Sequence, residues 1–173
     1  VNRKQFVGAL VAIGASASHA QSPESAAQQA ADPKRKFQQE WLKALLENLD
    51  SQFDEATRTK LMEACGRACA RRGAAAALAK AAGGDLDKLV VAIGSLVGPE
   101  NARREGSAVR LRYTKCYCPL VGDGPDRLSN TYCHCSRGWA LEVFGTVTGK
   151  PVRVELLRSI KRGDPICEFL IRT

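Results

Sequence analysis

Two periodicities divide the chain near residue 100. In the first half, apolar residues recur at helical spacing. Phe37, Trp41, Leu42, Leu45, Leu46 and Leu49 form one stripe between about Pro33 and Asp50. A second helix is predicted to start near Asp54, where Asp54 and Glu55 suit the positive end of the helix dipole. It should stop at Gly73, with Arg71 and Arg72 in its last turn. The alanine-dominated stretch Ala74–Ala82 is also helical, Gly83-Gly84 breaks it, and Asp85–Val97 repeats an amphipathic pattern. Beyond this point the apolar residues alternate. Ala108-Val109-Arg110-Leu111-Arg112-Tyr113 reads as a half-buried strand. Val121–Leu128, with Gly122-Asp123-Gly124-Pro125-Asp126, is a turn cluster. Trp139, Leu141, Val143, Phe144 and Val147 predict a helix ending at Gly149. Strands over Val152–Ile160 and Ile166–Arg172 close the chain, joined by Lys161-Arg162-Gly163-Asp164-Pro165. The order predicts an α+β domain, with N-terminal helices packed on a small antiparallel sheet and a strand–helix–strand–strand C-terminal half.

The first twenty residues break the pattern and read as an export signal. Arg3 and Lys4 precede an apolar, small-residue run from Phe6 to Ala17, and Ser18-His19-Ala20 resembles a cleavage site. The run is too short and too rich in Gly, Ala and Ser to span a bilayer. Asn2-Arg3-Lys4-Gln5-Phe6-Val7 resembles a twin-arginine signal with Lys at the second basic position; a single Arg also suits the general secretory route. The expectation is an exported protein, periplasmic if the source is a Gram-negative bacterium. Residues 21–33 read as a flexible spacer and 34–173 as one cysteine-rich domain. The formal charge of +8 falls to +6 on cleavage, since Arg3 and Lys4 leave with no acid. The basic residues are dispersed and not interleaved with aromatics, so neither a nucleic-acid partner nor, after cleavage, a membrane partner is expected.

Candidate chemistry rests on the cysteines. Six of the seven form close pairs, Cys65/Cys69, Cys116/Cys118 and Cys133/Cys135, and Cys167 stands alone. A C-x-C pair is poor disulfide geometry, whereas adjacent thiolates suit zinc, Cu(I) or an Fe–S cluster. Zinc is the first expectation. Copper is favoured by C-x-C and opposed by a single methionine, Met62. Two C-x-C pairs separated by fourteen residues, bent back by the turn cluster, would bring four sulfurs together. Cys65 and Cys69 lie on one face of their predicted helix, either joining that set or forming a second site. Export leaves a disulfide framework open as the alternative. Cys133 and Cys135 are expected just before the helix that contains Trp139, with Ser136 as its cap. His134 need not face their metal; it is a candidate proton shuttle or a plain hydrogen-bonding group. No nucleophile elbow, H-E-x-x-H or phosphate loop is present, and no catalytic residue is assigned.

The last forty or so residues, Cys133–Thr173, resemble the end of the vinyl-reductase-like ligand-binding domain. The matching pieces are Cys135-Ser136-Arg137-Gly138-Trp139, Pro151-Val152-Arg153-Val154-Glu155 and Gly163-Asp164-Pro165-Ile166-Cys167-Glu168-Phe169-Leu170-Ile171. The L-2-amino-thiazoline-4-carboxylic acid hydrolase family shares this ending. The resemblance implies a zinc held by cysteines and a glutamate from these segments. By position, Cys135, Glu155 and Cys167 match. A further cysteine is expected where Ser159 stands, so Cys133 would supply that thiolate, or Cys116 and Cys118 would rebuild the site. The resemblance also implies a small-molecule ligand, or hydrolysis of a small cyclic amidine by metal-activated water or a cysteine nucleophile.

Overall fold

The computed structural model describes residues 33–118, 120–121 and 127–173. The expected export signal and most of the spacer lie outside them, as does the Gly122–Asp126 turn. The fold is α+β. Four helices come first: α1 (Pro33–Gln52), α2 (Glu55–Arg72), α3 (Ala74–Ala82) and α4 (Leu86–Val97). A hairpin of β1 (Ala102–Glu105) and β2 (Ala108–Tyr113) follows, then α5 (His134–Thr148), β3 (Arg153–Arg158) and β4 (Cys167–Arg172). The sheet is antiparallel throughout, in the order β1-β2-β4-β3.

Local chemistry sets the boundaries. Asp54 caps α2 by accepting from the Thr57 N–H, and Gly73 ends it. Asp85 caps α4 by accepting from the Asp87 and Lys88 N–H groups. Gly83 and Gly149 terminate α3 and α5 in the left-handed conformation, which costs a glycine little. Two sequence expectations are corrected here. The sheet has four strands, because Ala102–Glu105 pairs with β2. The helix after the turn cluster starts at His134, so Cys135 sits in its first turn, and Cys133 holds the cap position expected for Ser136.

The main core lies between the sheet and α2–α5. Val109 and Leu111 of β2 face the helices alongside Phe169 and Ile171 of β4, against Leu89, Ile93, Val143 and Phe144. The closest helix crossing is α2 on α5, and two glycines make it possible. A methyl group at Gly66 would collide with the Cys135 carbonyl, and one at Gly138 with the Glu63 backbone. Ion pairs Arg137–Glu63 and Arg67–Glu142 fasten one flank of this crossing.

A second, smaller cluster of Leu46, Met62, Val121, Tyr132 and Cys133 packs under α1. The predicted α1 stripe therefore splits. Leu42, Leu46 and Leu49 cover this cluster, while Phe37, Trp41 and Leu45 remain exposed.

Candidate functional site

The thiols gather around the first turn of α5. None of the seven is in a disulfide. In α2 the buried line Met62–Gly66–Ala70 faces α5, and Glu63 and Arg67 occupy one flank. Cys65 and Cys69 lie on the other flank, both exposed. Because Gly66 rests on the Cys135 carbonyl, these two thiols come alongside Cys135. Burial pushes the Cys135 thiol up to about 12, with Cys118, Cys69, Cys65 and Cys133 adding to the effect. Cys118 shares a hydrogen with the Tyr132 hydroxyl across 2.8 Å. Burial, and then this contact, raise the Tyr132 pKa well above the usual phenol range.

A deeper group forms where α5 meets the turn after β3. Ser159 is fully buried, and its Oγ lies 2.8 Å from Cys133 Sγ. The next residue, Ile160, donates its N–H to Cys167 Sγ at 3.4 Å. Cys133 and Cys167 thus meet at one dipeptide, both buried. Burial pushes Cys133 up to about 11, the Ser159 contact opposes it, and Cys167 and Cys116 push in the same direction as burial. Cys167 is likewise raised, by burial first and with Cys116 among its neighbours.

The turn beneath this group is fixed by its own bonds. Ser159 N–H donates to Asp164 Oδ2 at 2.8 Å, and Asp164 N–H returns to the Ser159 carbonyl at 3.1 Å. The segment before α5 is pinned onto the same turn, as Leu128 N–H donates to the Lys161 carbonyl and Arg162 Nη2 to the Asn130 carbonyl. Thr131 Oγ1 donates to Asp50 Oδ1 at 2.7 Å, which ties the segment to α1. Pattern reading gave no weight to Thr131 or Lys161, both buried here. Paired polar groups of this kind leave no periodic trace in a sequence.

Two residues sit apart from the thiols. Glu155 follows core-facing Val154 in β3 and so points to the opposite face of the sheet, where it pairs with Arg172 and Arg153. That corrects its expected place beside Cys135 and Cys167. His134 Nε2 lies 3.4 Å from Arg162 Nη2. Burial first, then Arg162 and Arg137, lower its pKa, so it is neutral at pH 7.

Among the described residues no three Cys, His, Asp or Glu side chains are arranged to hold one ion. The donor chemistry nevertheless suits a thiophilic ion: the groups brought together are mostly thiols, with the Asp164 carboxylate held nearby on the Ser159 N–H, while Glu155 stands aside. A cavity of about 450 Å³ opens on the far flank of the α2–α5 crossing, lined by Arg67, Glu142, Thr146, Lys150 and Pro151 among others, with no cysteine in its lining.

A family model described as a family of unknown function (DUF6144) matches residues 9–173. The chain belongs to that family. No curated protein and no solved structure matches it.

Proposed function

We propose that the protein is a thiolate metal-binding domain whose buried ligands are Cys133 and Cys167, with Cys116 beside them. Cys118 and Cys135, flanked by Cys65 and Cys69, form the outer part of the same thiol set. The observation that carries this reading is the meeting of Cys133 and Cys167 at Ser159-Ile160. The resemblance to vinyl-reductase-like domains expects a cysteine at Ser159, and the Cys133 sulfur lies 2.8 Å from the Ser159 hydroxyl. On this reading Cys133, once deprotonated, would take the ligand position where the chain carries serine.

Zinc suits this set best, with copper or an Fe–S cluster as alternatives. A bound ion would stabilise thiolate over thiol and link the α5 end to the β3–β4 turn. The chain's part is to release protons from Cys133 and Cys167 and to turn both sulfurs away from their present partners. The raised thiol pKa values make that release costly, so binding strengthens with pH. A small-molecule ligand, and export, belong to the same reading.

The test is metal per chain and free-thiol count on reduced full-length protein loaded with zinc. C133S/C167S should lose the bound ion and the stability it confers. Unchanged metal content in that variant would overturn the assignment. Oxidation to disulfides with no metal uptake would make the domain a disulfide-stapled binding module.

A further inference from the structure

The helices cover one face of the sheet, and the other face carries rows of arginine. Strand register defines those rows. In one, Arg103 of β1 stands directly opposite Arg110 of β2. In the next, Arg172 of β4 stands directly opposite Arg153 of β3. In the third, Arg112 and Arg158 flank Glu168, which is only 5% exposed and pairs with both of them and with Arg110. Arg112 and Arg110 hold the Glu168 carboxyl below the usual carboxylate range. Glu105 pairs with Arg110, and Glu155 with Arg172. Six arginines thus face three glutamates, and three positive charges remain uncompensated.

A merely solvated face does not need this arrangement. Like charges directly opposite each other on paired strands are destabilising, and here the cost is incurred twice. The side chains of Arg153, Arg158 and Arg172 are 79%, 55% and 55% exposed, so they remain available to a partner.

We infer that this face docks an acidic polypeptide segment, its carboxylates seated between the opposed arginine pairs. The planar guanidinium fork matches a carboxylate, and on this face it already engages three of them. Among the described residues, the strands present no aromatic ring on this face for a base to stack on, which disfavours single-stranded nucleic acid. The pairing is invisible along the chain, because Arg153 meets Arg172, and Arg103 meets Arg110, only through strand register.

The probe is a fluorescently labelled oligoglutamate peptide, titrated with full-length protein at low and high salt. R103Q/R153Q should weaken binding about tenfold at low salt, and high salt should weaken the wild type towards the same level. The thermal midpoint of that variant should hold or rise, since it removes both like-charge oppositions. R103K/R153K, which keeps the charges but loses the planar fork, should bind more weakly than the wild type and more tightly than R103Q/R153Q. Control variant R72Q/K80Q, on the helical side, should bind as the wild type does. Equal loss in that control would reduce the effect to net charge and overturn the docking face, as would unchanged binding by R103Q/R153Q. Tighter binding of oligothymidylate or of anionic lipid vesicles than of oligoglutamate would overturn the partner class.

Discussion

The two clusters inside this molecule are built from different materials. The main core is aliphatic and aromatic side chains, with Cys167 as its single buried thiol, held between a four-stranded sheet and the helices. Beneath α1, the smaller cluster brings Leu46 and Met62 together with Tyr132, Cys133 and flanking thiols. Burying apolar surface stabilises the first without help from any ligand. In the second, buried polar atoms must be matched one by one: Cys133 with Ser159, Cys118 with Tyr132, Thr131 with Asp50. One region is therefore self-sufficient in stability. The other gathers thiols whose state can change.

Four measurements break or sharpen that contrast. The largest effect is expected from Phe169→Ala, about 3–5 kcal/mol in denaturant unfolding, against about 2 kcal/mol for Leu46→Ala in the small cluster. Equal losses would make the two clusters one core. Gly138→Ala should follow at about 3 kcal/mol, because its methyl meets the Glu63 backbone, which cannot step aside. Since Gly138 joins the regions, its variant should also lower zinc uptake, and normal uptake would separate the thiols from the crossing.

Alkali comes third. In metal-free protein, folded Cys133 keeps its proton up to about 11, whereas the ordinary value is 9.0. Stability from this group is complete below pH 9.0 and is lost as pH rises through about 11, on the order of 2 kcal/mol for Cys133. Metal affinity should move the opposite way over the approach to that range, so unfolding curves of apo and zinc-loaded protein should diverge as pH rises. Parallel curves would argue against thiolate ligation. The smallest effect is Tyr132→Phe, about 1 kcal/mol or less, by urea titration. It should leave the main core's behaviour unchanged.

Much of the main core was legible along the chain because it rests on local rules. Asp54, Gly73 and Asp85 marked boundaries that the structure keeps. Strand β1 escaped notice because Ala102 is its one buried position among charged neighbours. The start of α5 was misplaced for a related reason: Cys133 occupies the cap without making a side-chain capping bond. Cysteine pairs were readable as pairs, but their grouping was not. Cys133 joins Cys167 through a buried serine, and Cys135 joins Cys65 and Cys69 through a helix crossing. Glu155 shows the complementary lesson. Motif position set it beside the thiols, while strand alternation after Val154 turned it to the arginine face.

The glycine crossing has a consequence for how the thiols assemble in time. Before α2 docks on α5, the chain offers only short-range pairs: Cys65 with Cys69, Cys116 with Cys118, Cys133 with Cys135. Each pair alone is a two-point chelator, and bringing the pairs together requires closing long stretches of chain. The contact of Gly66 with the Cys135 backbone therefore acts as an assembly gate. With the proposed metal site, a nascent or misfolded chain would hold an ion loosely, and only a docked chain would compete for one.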